Sequence, residues 1–156
     1  MKHLILIRHA QALDPLPHQK DFDRSLSARG IAAAIEQAKL IDFKGYSGVY
    51  HSASRRTTET AMHFAKGNAQ LTLHPRKDLY NADLNQLIEV IEELWTEEAV
   101  VIVAHNPGIT QLFFHLTGIW EPFETCSVAR LQFKENTLVE NLESAAHCIQ
   151  LLHSQI

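Results

Sequence analysis

The chain has 156 residues, 46% of them hydrophobic and 21% charged, values ordinary for a globular protein long enough to bury a sizeable core. Fourteen basic against eighteen acidic side chains leave a net charge of −4; this argues against a broad nucleic-acid surface and makes any anionic ligand dependent on local arginines. The two cysteines, Cys126 and Cys148, form no CxxC or zinc pattern, the N-terminal apolar run is too short for a signal peptide, and no run of about 18 apolar residues suggests a membrane span. The expectation is one cytoplasmic domain over residues 1–156.

In chain order, His3 to Ile7 reads as a buried strand that stops abruptly on Arg8-His9. Residues 10–26 carry Pro15 and Pro17 and form a long polar loop, a length that in compact domains usually serves function. Ser27 is placed to cap a helix over residues 28–41, with Gly30 its weak point. After a turn at Gly45, Ser47 to Ser52 is a second strand, and residues 54–67 follow as a helix closed by Gly67. "QLTLHP" is a third strand ending before Pro75.

Leu84, Leu87, Ile88, Ile91, Leu94 and Trp95 define one face of a further helix. Ala99 to Ala104 is a continuous apolar run, the pattern of a central parallel strand. "HNPGITQLFFHLTG" then opens a helix with Pro107 in its first turn. Residues 126–143 alternate around Lys134–Asn136 like a hairpin, and the tail from His147 fits either a short strand or a helix. The alternation of strand and helix through residue 118 predicts an α/β fold: a three-layer α/β/α sandwich with a mostly parallel central sheet.

In such sheets ligands bind beyond the carboxyl ends of the strands. The first strand ends in Arg8-His9, the second in His51-Ser52 with Arg55 and Arg56 just after, and the central one in His105-Asn106. If these strands are neighbours, histidines and arginines converge beside helix N-termini, which favour anions. Arginine offers phosphate oxygens a rigid fork of donors. A neutral histidine held through one ring nitrogen can attack phosphorus with the other.

Each feature has a plainer reading taken alone. Arg55 and Arg56 would suit a solvated helix pairing with Glu59, and His105-Asn106-Pro107 would suit a cap. Their shared position at strand ends favours the site. The ten histidines form no HxxxH or HExxH spacing, so metal catalysis is not expected. GxxxxGK[ST], GxGxxG and GxSxG are also missing from the sequence.

Five ordered segments, "LILIRHAQA", "DFDRSLSARG", "YHSASRRTTETA", "DLYNADLNQLIEVI" and "VVIVAHNPGIT", resemble the motifs of the histidine phosphatase superfamily and, within it, the small SixA-type phosphohistidine phosphatases. The resemblance implies the phosphoglycerate mutase-like fold, with His9 as the nucleophile that becomes phosphorylated and Arg8 as the first phosphate clamp. It implies Arg56 rather than Arg55 as the second clamp, four residues after Ser52. His105 corresponds to the second histidine, which binds the phosphoryl group. Arg24, Ser52 and Asn106 are the further expected substrate contacts.

Two departures from the family pattern matter. Ala10 stands where glycine is usual after the Arg-His pair. The glutamate acid of larger members, carried by an inserted helical region, has no counterpart; the nearest stretch is Leu79-Tyr80-Asn81-Ala82-Asp83, in which Asp83 is the candidate acid. An imidazole leaves more readily than an alkoxide, and a short chain leaves an open cleft. Both favour phosphohistidine on a partner protein, with phosphate as product and no cofactor. The alternatives are a small-molecule phosphomonoesterase of phosphosugar type and a phosphoryl-binding module with degenerate catalysis.

Overall fold

Strand β1 (His3–Arg8) and strand β4 (Ala99–Ala104) form the centre of the fold, because Leu4 to Ile7 and all of β4 are apolar on both faces and buried. The computed structural model describes residues 1–155. Around this pair lie α1 (Ala28–Lys39), β2 (Gly48–Ser52), α2 (Arg55–Ala65), β3 (Thr72–Arg76), α3 (Leu84–Glu93), α4 (Gly108–Thr117), β5 (Val128–Phe133) and β6 (Ala146–Leu152). The six strands form one sheet in the order β3-β2-β4-β1-β5-β6. The first four run parallel; β5 is antiparallel to β1 and β6 to β5.

Alternation along the strands divides the core into two. Leu4, Leu6, Val100 and Ile102 face α3 and α4, packing with Leu87, Ile91 and Phe113. Ile5, Ile7, Val101 and Val103 face α1 and α2, packing with Ala34, Ala61 and Phe64. Helices on both faces of a mostly parallel sheet make the three-layer sandwich that the strand-helix alternation predicts.

The helix starts follow local chemistry. Ser27 caps α1 by accepting from the Gly30 amide at 2.9 Å. Gly30, a weak point by propensity, is required by packing: a Cβ there would sit 2.1 Å from the Gln11 carbonyl oxygen. Pro107 occupies the N-cap of α4 rather than its first turn.

Two expectations are corrected. Pro75 lies inside β3, which runs on to Arg76; β3 is an edge strand, where a residue without an N–H is tolerated. The chain turns at Lys134, but residues 134–145 form no return strand. Leu142 and Ala145 are buried against the α3–α4 core instead, and the strand that pairs with β5 is the tail, β6. Among the described residues, no helix is long and apolar enough to cross a membrane.

Candidate active site

Sheet order brings the predicted residues together. β2, β4 and β1 are adjacent and parallel, so their carboxyl ends open on one edge. Arg8 pairs in register with Ala104, which makes His9 and His105 the next residues beyond the strands. Their ring centroids are 5.0 Å apart.

The His9 Nδ1 lies 2.8 Å from the Ala10 carbonyl oxygen. A carbonyl only accepts, so Nδ1 carries the proton and Nε2 keeps a free lone pair. Burial pulls the His9 pKa down to about 4; the Ala10 hydrogen bond opposes this, while Arg56, Arg8 and Arg24 reinforce it. Behind the ring, the Thr60 hydroxyl accepts from the Ala10 amide at 3.0 Å and donates to the Arg56 carbonyl at 2.7 Å. That pins the backbone after His9 to helix α2.

His105 shows the opposite tautomer. Arg56 can only donate, and its Nη2 lies 3.4 Å from His105 Nδ1, so that nitrogen holds the lone pair. The Nε2–H then donates to the Ser52 Oγ at 2.9 Å. Burial first, and the charges of His9 and Arg56 next, lower the His105 pKa to about 3; Asp21 partly offsets them.

Arg55 and Arg56 separate by one helical step of about 100°. Arg56 is 5% exposed and faces the histidines, whereas Arg55 is exposed and pairs with Glu59 at 2.8 Å. Arg8 is half-buried; its Nη1 donates to the Phe123 carbonyl at 2.8 Å, and its Nε is buried without a protein partner.

The remaining predicted residues are committed to the protein itself. Arg24 donates from Nε to the Leu13 carbonyl at 2.9 Å and from Nη1 to Asp21 at 3.0 Å; its charge still reaches His9. Asn106 donates to the Phe123 carbonyl at 2.8 Å and accepts from Thr110 at 2.9 Å, while the Thr110 hydroxyl accepts from the Phe123 amide at 3.0 Å. This closed set of three bonds holds the carbonyl on which Arg8 rests. Asp83 is the N-cap of α3, accepting from the Gln86 amide within a capping box, so the oxygen that would face a leaving group is tied to the start of the helix.

Sequence reasoning missed Asp21, Tyr80, Thr60 and Phe123. Asp21 takes hydrogen bonds from Arg56, Arg24 and Tyr80. Its burial raises the carboxyl pKa, but those three donors together outweigh burial and hold it well below the ordinary carboxylate range. The one local signal was the Asp21–Arg24 spacing inside "DFDRSL", which suggests a pair without saying what else it touches. Among the described residues, no three His, Cys, Asp or Glu side chains are gathered as a metal site.

The family described as histidine phosphatase superfamily (branch 1) matches residues 4–87, just over half of the chain. No curated protein matches the sequence. Among solved structures, a candidate phosphohistidine phosphatase SixA from Agrobacterium tumefaciens is similar with a TM-score of 0.84 at 22% identity, over 97% of either chain. The protein histidine phosphatase SixA in complex with tungstate is similar at 0.75 and 16%, over 97% of this chain and 96% of the other. A mycobacterial glucosyl-3-phosphoglycerate phosphatase is similar at 0.70 and 16%, over 95% and 97%. At these identities the likeness speaks for the fold.

Proposed function

The chain belongs to the histidine phosphatase superfamily, branch 1, and from that premise we propose that it hydrolyses phosphohistidine carried by a partner protein, through a phosphohistidine of its own at His9. The observation that carries the reading is the state of His9: the ring is neutral, its Nδ1 proton is held by the Ala10 carbonyl, and its Nε2 lone pair is free to attack.

In the first step Nε2 bonds to phosphorus as the bond to the departing imidazole breaks. The Nδ1–H of His9 stays on its carbonyl. A substrate imidazole already protonated on its distal nitrogen leaves neutral, so no proton has to be supplied. In the second step water attacks phosphorus, the P–Nε2 bond breaks, His9 returns to its starting tautomer, and the water proton leaves with phosphate or solvent. Arg8 and Arg56 hold the phosphoryl oxygens and offset the charge that develops on them, and His105 joins them by turning its Nε2–H from the Ser52 hydroxyl to a phosphoryl oxygen.

The choice of substrate follows from proton supply. An alkoxide needs an acid to leave. Of the carboxylates on the flanking loops, Asp83 caps α3 and Asp21 is held ionised by three donors. Exchange between two imidazoles needs neither.

The test compares turnover of a phosphorylated histidine-phosphotransfer domain with that of a panel of phosphomonoesters, alongside trapping of an acid-labile phosphoenzyme. Preference for the phosphoprotein and loss of labelling in His9→Ala are expected. A clearly higher kcat/KM on a monoester would assign the small-molecule activity instead. Normal turnover by His9→Ala would end the reading altogether.

A further inference from the structure

The 10–26 loop meets the cluster through a residue that phosphoryl transfer leaves without a task. Arg56 donates from Nη1 to the Asp21 carbonyl at 2.7 Å and from Nη2 to Asp21 Oδ2 at 2.9 Å. One residue therefore takes both terminal nitrogens of the buried guanidinium. The same Oδ2 accepts from the Tyr80 hydroxyl at 2.8 Å, and Oδ1 accepts from Arg24 Nη1 at 3.0 Å. Tyr80 in turn stands edge-on to His105, with ring centroids 5.6 Å apart.

This arrangement differs from a surface ion pair. The Arg56 side chain is 6% exposed, and the donors converge on Asp21 from helix α2, from the loop before α3 and from its own turn. A guanidinium is planar and its N–H groups form a fixed fork. Gripping both terminal nitrogens from one side sets the plane of that fork. The Nη2 so held is also the one that faces His105 Nδ1.

We propose that Asp21 is a positioning residue for the phosphoryl clamp: its carboxylate and carbonyl hold the Arg56 guanidinium in the plane a bound phosphoryl group requires, and Tyr80 and Arg24 hold Asp21 in place. The proposal rests on the reading of His9, Arg8, Arg56 and His105 as a phosphoryl site.

The test is a double-mutant cycle on the full chain with Asp21→Asn, Arg56→Lys and the double variant. It is read by kcat/KM on the preferred substrate and by tungstate affinity in calorimetry. Asp21→Asn should lower kcat/KM by about 10- to 100-fold, the scale of a misplaced catalytic group, and should weaken tungstate binding. In the Arg56→Lys background it should add less than about twofold, because residues acting through one another are not additive. Asp23→Asn, in the same turn, should match wild type in both readouts. Effects that multiply would overturn the proposal, as would unchanged or increased activity in Asp21→Asn. Failure of the wild type to bind tungstate would overturn the phosphoryl-site reading and this proposal with it; tungstate binding equal in wild type and Asp21→Asn would overturn the role of Asp21 alone.

Discussion

His9 and His105 face one another at a ring-centroid distance of 5.0 Å and carry opposite tautomers. The Ala10 carbonyl places the His9 proton on Nδ1; the Arg56 guanidinium and the Ser52 hydroxyl place the His105 proton on Nε2. Two residues of one type thus present different faces to a shared space. His9 keeps the Nε2 lone pair that the proposed attack on phosphorus would use. His105 offers a lone pair to Arg56, which ties the two side chains together.

The acid side of the pH profile should extend unusually far. His9 titrates at about 4 and His105 at about 3, both below the ordinary 6.5 of histidine. The acid limb of kcat/KM that reports the nucleophile should therefore fall near pH 4 rather than pH 6.5, measured on a substrate whose own titration is known.

Stability should move with pH through the same groups. As pH falls through 6.5 the unfolded chain takes up protons on both histidines while the folded chain does not. Their contribution is thus complete above pH 6.5 and is lost as pH drops toward 4 for His9 and 3 for His105. Urea midpoints at pH 7.5 and 4.5 should show the loss, and His105→Asn should show less of it.

Ser52→Ala should lower kcat/KM by about tenfold, one hydrogen bond's worth of orientation, with the fold retained. The variant leaves the His105 Nε2–H without its acceptor and frees the ring to change tautomer. Steady-state kinetics with circular dichroism check this; wild-type kinetics would remove Ser52 from the site's support.

Asn106→Ala and Thr110→Val should each slow turnover without changing the nucleophile. Both open the set of bonds that fixes the Phe123 carbonyl and, through it, Arg8. Their combined effect should be smaller than the product of the two, since they share one structure. Kinetics of the three variants decide the point.

Gly30→Ala should destabilise the protein by about 1–3 kcal/mol, the usual cost of overpacking, because its methyl would collide with the Gln11 carbonyl. Gln11 follows His9-Ala10 directly, so activity should fall as well. Urea denaturation and kcat together check it.

Much of the candidate site was legible in the chain. Arg8-His9 and His105-Asn106 stand out because each ends an apolar run, and a buried strand that stops on charged or titratable groups needs a reason. Asp83 was read as a candidate acid from its place in the chain; whether it donates a proton or caps a helix depends on where the Gln86 amide points. Residues 134–143 alternate as a strand would, yet they are mostly exposed, and the one buried among them, Leu142, packs on the helix core. In both cases local pattern was overridden by a competing partner.

By itself the sequence determined most of the strands and helices and which side chains stand at the strand ends, since strand and helix periods and the choice of arginine beside histidine are local properties. Tertiary structure decided the order of the strands, the burial of Arg56 rather than Arg55, the opposite tautomers of His9 and His105, and the parts played by Asp21, Tyr80 and Phe123. The physical reason is separation: Asp21 meets Arg56 across 35 positions and Tyr80 across 59, and Arg8 meets Phe123 across 115. Only the packing of α2 and the connecting loops onto one edge of the sheet brings such residues within hydrogen-bond distance.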